Sequence, residues 1–408
     1  MGKVVYYSSP SYGNIYPVVN MLTALIDKGE EVVFYAVEKY KRIVESCGAQ
    51  YRSYPPIFPS VEYAGKTENQ FDFLEFLFMS GSNILETTNK IIGSLRQEVT
   101  EISPDYIIHD AYAYWGKRIS SEYRIRAVSV LPNYPVVKEM LDNQDAVKFI
   151  FGESSENVMA IRNKIRRLSA FLSSKYRICN VDLFDFAVNE EEVNISIAIE
   201  ENILFRHLYK ETFRFIGISP RQEELSSELK SIISGAKKAG KKIIYLSRGT
   251  VLTNDVSYYR ECINKIDTGK YEAIFSIGDN VDRSSFPEVQ GVHLFKNVEQ
   301  NALLKYVDLF ITHGGHNSVN EALFHGVPVI VHPLANDQFM CSKMVEKTGV
   351  GISTTSTEGM SAKINYVLNN QQIIDNLKKR KDDYQGYNAE KTFVECVMRP
   401  YIKKAIVL

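Results

Sequence analysis

Three features of this 408-residue sequence predict an α/β fold of two Rossmann-like domains. Short apolar, β-branched runs alternate with helical patterns along most of its length. The alternation restarts at Lys242 and runs to about Gly351. The length exceeds one ordinary core and suggests roughly two or three domains. Strands alternating with helices form parallel sheets covered on both faces. Ligands of such sheets sit beyond the carboxyl ends of the strands.

The first domain opens with a strand at Val4 to Ser8, followed by the loop S-S-P-S-Y-G-N-I-Y-P. Pro17 suits the first turn of a helix that closes at Gly29. Residues 31–36 read as a second strand, 40–47 as a helix and 50–54 as a third strand. Residues 71–92 form a strongly apolar helix around F-D-F-L-E-F-L-F-M. Strands follow at 106–109 and 127–131, with a helix near 113–123 between them. Residues 161–177 carry Ile161, Ile165, Leu168 and Leu172 at helical spacing. The other face holds Arg162, Lys164, Arg166, Arg167, Lys175 and Arg177. Two readings stand for these two helices. Either they pack the core with solvated outer faces, or they wall an apolar pocket with the basic face against a membrane. The predicted organisation is 1–216 for the first domain and 217–240 for a linker region, least ordered at 217–224. Residues 241–384 form the second domain and 385–408 a terminal helix.

Composition is that of a globular protein, with 45% apolar and 24% charged residues. A net charge of −1 gives no reason to expect nucleic-acid binding. Five scattered cysteines without a C-x-x-C pair imply neither a disulfide framework nor a zinc site. No signal-like run opens the chain, and no stretch approaches about 18 uninterrupted apolar residues. The expectation is a cytoplasmic protein, monomer or homodimer, with no membrane span.

The stretch 308–351 organises the second half. An apolar strand ends at Thr312, and His313, Gly314 and Gly315 break it. A helical pattern follows with Val319, Ala322 and Leu323 on one face, stopped by Gly326 and Pro328. Residues 329–332 form the next strand. A helix start offers backbone N–H groups and the positive end of a dipole. Two glycines let a ligand approach the backbone, which is the recipe for a phosphate site. His313 can donate to a phosphate oxygen, with Asn317 and Ser318 adding side-chain donors. Glu321, further along the helix, can accept from ribose hydroxyls. Asp337 and Gln338, past the next strand, can hold sugar hydroxyls. Diphosphate, ribose and a second sugar together make a nucleotide sugar.

The run T-H-G-G-H-N-S-V-N-E-A-L, then G-V-P-V-I-V-H-P, then D-Q and G-V-G resembles the donor signature of glycosyltransferase family 1. These are the UDP-glycosyltransferases, here most like the bacterial macrolide-type branch. The resemblance implies a GT-B fold, two Rossmann-like domains facing across a cleft, with the last helix crossing back onto the first. It implies pyrophosphate contacts from His313, Gly315, Asn317 and Ser318, a ribose contact from Glu321, and transferred-sugar contacts from Asp337 and Gln338. The S-R-G-T run resembles the family's S-x-G-T turn and adds Ser247 and Thr250. Arg248, in place of an apolar residue, either pairs with phosphate or points to solvent. The family's W-x-P-Q aligns with Asn297, Val298, Glu299 and Gln300, so no ring stacks on the base and only the backbone of Val298 is left to meet it. UDP and dTDP donors both remain open. The family works without a bound metal or cofactor. Nor do His293, His313, His316, His325 and His332 complete a ligand set, although His313 and His316 can share a helix face.

The acceptor side departs from the family. Its base is a histidine in a G-H-x-x-P loop, oriented by an aspartate; here that loop is Gly13, Asn14, Ile15, Tyr16, Pro17. The aspartate position is kept as Asp110, beside His109. An amide accepts no proton at neutral pH. Three readings follow. The acceptor is already a ready nucleophile that Asn14 only orients; or Asp110 or His109 acts as the base; or transfer has been lost. The sequence thus points to an inverting hexosyltransferase acting on a small, apolar natural-product acceptor. A nucleotide-sugar-binding partner protein and an epimerase of UDP-GlcNAc are the alternatives.

Overall fold

The computed structural model describes residues 2–55, 72–152, 158–220, 222–249, 255–334 and 337–405, with side chains described as far as 398. The chain divides into two compact units, 1–219 with 388–408, and 220–387.

The first unit runs β1 (Lys3–Tyr7), α1 (Tyr12–Ile15), α2 (Val19–Asp27), β2 (Glu31–Ala36), α3 (Lys41–Glu45) and β3 (Gln50–Ser53). Then come α4 (Phe73–Ile102), β4 (Tyr106–Asp110), α5 (Tyr114–Tyr123), β5 (Arg126–Leu131), α6 (Gln144–Phe151), α7 (Val158–Tyr176), α8 (Asp185–Val188), β6 (Asn194–Ser196) and β7 (Phe213–Phe215). Among the described residues its strands form one sheet in the order β3-β2-β1-β4-β5-β6-β7, with each pairing parallel. The strands carry near-continuous apolar runs because both faces are covered. One face packs Val5, Tyr7, Ile107 and Ala127 under Ile91, Leu95, Val99 and Trp115 of α4 and α5. Pro17 falls in the first turn of a short 3₁₀ helix that runs directly into α2. Its missing N–H loosens a helical run that begins at Tyr12.

Helix α4 extends ten residues past the expected end. Leu95, Val99 and Ile102 continue its buried stripe, and Ser103 closes it in the left-handed region at φ 49° before Pro104. Asp72 caps its start, accepting from the N–H groups of Leu74 and Glu75. Phe71, the expected first residue, lies outside the described residues. α7 packs on α4 and buries Ile165 and Leu172. Arg162 pairs with Asp142 and Lys164 with Asp72, so part of the basic face is neutralised locally. Phe171 is exposed.

The second unit runs α9 (Ser227–Lys238), β8 (Lys242–Ser247), α10 (Val256–Lys265), β9 (Tyr271–Ser276), β10 (Val292–Phe295), α11 (Gln300–Leu304) and β11 (Leu309–Thr312). It continues with α12 (His316–Phe324), β12 (Val329–Val331), α13 (Gln338–Thr348), β13 (Gly351–Ser353), α14 (Met360–Asn369) and α15 (Gln371–Gln385). The described strands order as β10-β9-β8-β11-β12-β13, again parallel. The expected linker region 217–240 contains the boundary between the units, at 219/220, but is corrected in its later part. Most of it is α9, which buries Leu229, Ile233 and Ala236 and packs on β8. Its apolar residues recur at i, i+4 and i+7, the spacing of a helix with one buried face.

The last helix, α16 (Ala389–Ala405), belongs to the first unit and packs on α2, burying Phe393 and Val397. Arg126 donates to the Val397 carbonyl at 2.9 Å, and Ser219 bonds Glu390. Strand order reverses between β1 and β4 in one sheet and between β8 and β11 in the other. Loops on the two sides of such a point diverge and leave a crevice at the carboxyl edge.

Candidate functional site

In the second unit the turn after β11 carries His313, Gly314 and Gly315 into α12. Gly314 has φ 88°, and a Cβ there would stand 2.5 Å from Val331 Cγ1. Gly315 caps the helix. A Cβ on Gly315 would lie 2.7 Å from His313 Nε2, and one on Gly249, after β8, 2.6 Å from His313 Cε1. The imidazole is slotted between two glycine turns at the point where β8 and β11 diverge. Burial, and then the Arg248 charge, bring its pKa down to about 4. At neutral pH the ring is therefore uncharged and carries one N–H, for which the Ser247 backbone carbonyl competes. Ser247 ends β8 in register with Thr312 and Ser276, and its Oγ accepts from the Gly249 N–H at 3.2 Å.

Along α12, Ser318 and Glu321 lie three residues apart and share a face. Gln300, at the start of α11, bridges them: its Nε2 donates to Glu321 Oε2 at 2.7 Å and to Ser318 Oγ at 3.2 Å. Tyr245 OH donates to Gln300 Oε1 at 3.1 Å. Burial pushes the Glu321 carboxyl up to about 7 against the Gln300 bond, with the Glu223 charge adding to the rise. Gln300 is missing from the predicted donor residues. Its signal was present as the last position of the window aligned with W-x-P-Q, two residues after Val298.

Asn317 is the second residue of α12. Gln338 opens α13 beneath Gly314, and its Oε1 accepts the Leu334 N–H at 2.8 Å, so that oxygen serves the local turn. Asp337 stands at the cap position of α13 without a side-chain cap. Thr250 lies outside the described residues. Arg248 does not point to solvent. It is 4% exposed, paired with Asp255 at 2.8 Å and stacked 4.2 Å from the Tyr258 ring. Asp255 and Tyr258, at the start of α10, close over it.

The five histidines disperse. His293 bonds Glu272 at 2.6 Å, His325 bonds Asn301 at 2.7 Å, and His332 stacks on Tyr258 at 4.6 Å. His316 does not share a face with His313; it is buried against Asn320 and Cys341. His313 precedes the helix, whereas His316 begins it and turns inward. Among the described residues no three His, Cys, Asp or Glu side chains gather as a ligand set.

In the first unit the carboxyl ends of β1 and β4 bring Ser9, Asn14 and Asp110 together. Asp110 is fully buried. Its Oδ2 accepts the Ser9 N–H at 2.5 Å; its Oδ1 accepts the Tyr112 N–H at 2.8 Å and the Ala113 N–H at 3.0 Å. The Ser9 hydroxyl donates to it as well. Burial raises the carboxyl above the ordinary range, and these bonds oppose the rise. Asn14 Nδ2 donates to Ser9 Oγ at 2.6 Å. Because Ser9 spends its proton on Asp110, its oxygen must accept, which fixes the amide nitrogen of Asn14 toward it. Ser9 carries no motif of its own in the sequence and lies 101 residues from the aspartate it contacts.

His109 does not join this chain, which corrects its place among the catalytic candidates. Neighbours on a strand point to opposite faces. Its ring lies on the α5 side, where Gly116 leaves room: a Cβ there would be 2.6 Å from His109 Cβ. Its Nε2 is 3.2 Å from Glu191 Oε1, and Asn189 Nδ2 is 3.1 Å from its Nδ1. The residue is fully buried.

The UDP-glucoronosyl and UDP-glucosyl transferase family matches residues 98–381, and the chain belongs to that family. It is 22% identical to the uncharacterized UDP-glucosyltransferase YojK of Bacillus subtilis (strain 168), over 99% of this chain and 98% of that protein. It is 21% identical to the oleandomycin glycosyltransferase of Streptomyces antibioticus, over 87% and 80%. The solved glycotransferase of kitacinnamycin superposes with a TM-score of 0.76 at 20% identity, covering 98% of both chains. The protein is a glycosyltransferase with the GT-B fold, related to the macrolide and natural-product enzymes.

Proposed function

We propose that this enzyme moves a hexose, with inversion, from a UDP- or dTDP-sugar to a small, largely apolar natural-product acceptor. The observation that carries the donor half is the neutral His313 ring held between Gly249 and Gly315 at the start of α12. In this reading α12 and His313 take the diphosphate, with Ser247, Gly315, Asn317 and Ser318 beside them and Thr250 as a further donor contact. Glu321, oriented by Gln300, takes the ribose. Val298 meets the base through its backbone, and Asp337 and Gln338 take the transferred sugar. The helix dipole and hydrogen bonds stabilise the departing diphosphate, so the reading calls for no metal or other cofactor.

Asn14 stands where the family places its base, with Asp110 and Ser9 as positioning residues behind it. The buried, fully bonded state of Asp110 also favours a second reading, a partner protein that binds nucleotide sugars without turning them over. Titration calorimetry with UDP and dTDP, paired with an assay for nucleotide diphosphate release from UDP- and dTDP-hexoses, tests both. Binding with acceptor-dependent release supports transfer. Binding without release under any acceptor supports the second reading, and no binding of either nucleotide overturns both.

A further inference from the structure

Deprotonating a neutral alcohol needs an accepting lone pair on a basic group within hydrogen-bond reach of it. The described residues at the carboxyl ends of β1 and β4 supply none. The Asn14 amide is not basic. Asp110 is basic in principle, but three backbone N–H groups and the Ser9 hydroxyl occupy its two oxygens, and it is fully buried. His109 faces the other side of the sheet among Gly116, Asn189 and Glu191. What the arrangement does supply is a donor. Ser9 holds one N–H of the Asn14 amide at 2.6 Å, and the other remains on the same nitrogen. A carboxamide held by a serine, itself held by a carboxylate, is fixed in place, and its second N–H is a hydrogen an anion can take.

We infer that the acceptor of this enzyme is an oxyanion when it reacts: a carboxylate, or the ionised form of an acidic phenol or enol, positioned by the Asn14 amide N–H. The inference rests on the transferase reading above and specifies its acceptor class. The acceptor oxygen attacks the anomeric carbon and forms the new C–O bond. The bond from that carbon to the diphosphate oxygen breaks, and its electron pair leaves with the nucleoside diphosphate. No proton is transferred, and charge moves from acceptor to leaving group. The products are a glycosyl ester or an aryl or enol glycoside, together with the nucleoside diphosphate.

The test compares full-length wild type with Asn14→His on size-matched acceptors, a benzoate, 4-nitrophenol and benzyl alcohol, at several pH values with UDP- and dTDP-glucose. Wild type is expected to favour the two acids over the alcohol in kcat/KM by at least about a hundredfold, the lower end of what a general base contributes. With 4-nitrophenol its rate should fall about tenfold per pH unit below the phenol's own pKa and level off above it. Asn14→His should raise the alcohol rate by about a hundredfold. Comparable wild-type rates on acids and alcohol, or a pH profile that ignores the acceptor pKa, overturn the inference and leave the transferase reading standing. Transfer to none of the three while nucleotide still binds also overturns it. Loss of nucleotide binding as well would instead strike the transferase reading itself. Should Asn14→His fail to fold, the wild-type pH profile on 4-nitrophenol divided by that on the benzoate, which stays ionised throughout, decides.

Discussion

At residue scale, a half-buried carboxylate with a raised pKa makes a pH-dependent contact. Glu321 is raised to about 7, mainly by burial, so near neutrality it is only partly ionised. If its ionised form accepts from ribose hydroxyls, each pH unit below 7 leaves fewer competent molecules. UDP affinity should therefore rise between about pH 6 and 8. Because a phosphate also titrates near pH 6, the Glu321→Gln variant supplies the baseline. Its affinity at pH 8 should be weaker by about ten- to a hundredfold, the worth of a hydrogen bond to a charged group. Its pH dependence should also be flatter. Calorimetry across this range checks both, and a variant with the wild-type profile would remove Glu321 from the ribose site. That Glu321, Asn317 and Ser318 share the first turns of one helix was legible, because the motif fixes residue types at fixed spacing. The contacts of Gln300 and Ser9 were not, since each meets a neighbour distant in sequence: 21 residues for Gln300 and Glu321, 101 for Ser9 and Asp110.

At element scale, the carboxyl edge of the second sheet depends on two turns that pack on one ring. Gly249 and Gly315 come from loops after different strands, and each leaves His313 the space a methyl group would fill. Gly315→Ala is expected to destabilise the protein by about 1–3 kcal/mol through overpacking, or to move the imidazole and weaken UDP binding. Urea denaturation and calorimetry on the same preparation would show which. A variant unchanged in both would mean the ring is not wedged. The strands and most helices were readable from apolar periodicity, because a buried parallel sheet demands continuous apolar runs. The errors fell where periodicity competed with another cue. Ser- and Glu-rich residues disguised α9 as a linker, although Leu229, Ile233 and Ala236 keep helical spacing.

At the scale of the whole molecule, stability should depend on acid in a defined window. His313 and His325 are both lowered to about 4 by burial. Their folded pKa lies below the unfolded value near 6.5, so the unfolded chain binds more protons between those limits. Their contribution is intact above pH 6.5 and is lost as pH falls toward 4, by at most about 1.4 kcal/mol per unit for each ring. Melting temperature against pH should show this fall, and a His313→Asn, His325→Gln double variant should show a shallower one. An equal slope would mean the two rings are not held neutral by the fold.

Fold class, the glycine turn before α12 and the amide in place of the usual histidine were all legible in the sequence alone. Each follows from local rules: the period of apolar residues, the glycines a tight turn needs, and the chemistry of a single side chain. What only the tertiary structure decided is which groups meet. It set Asp110 behind Ser9 and turned His109 to the opposite face. It closed Asp255 and Tyr258 over Arg248 and tied Gln300 to Glu321. Those contacts join residues on different strands and helices, and their geometry is set by packing that no spacing along the chain encodes.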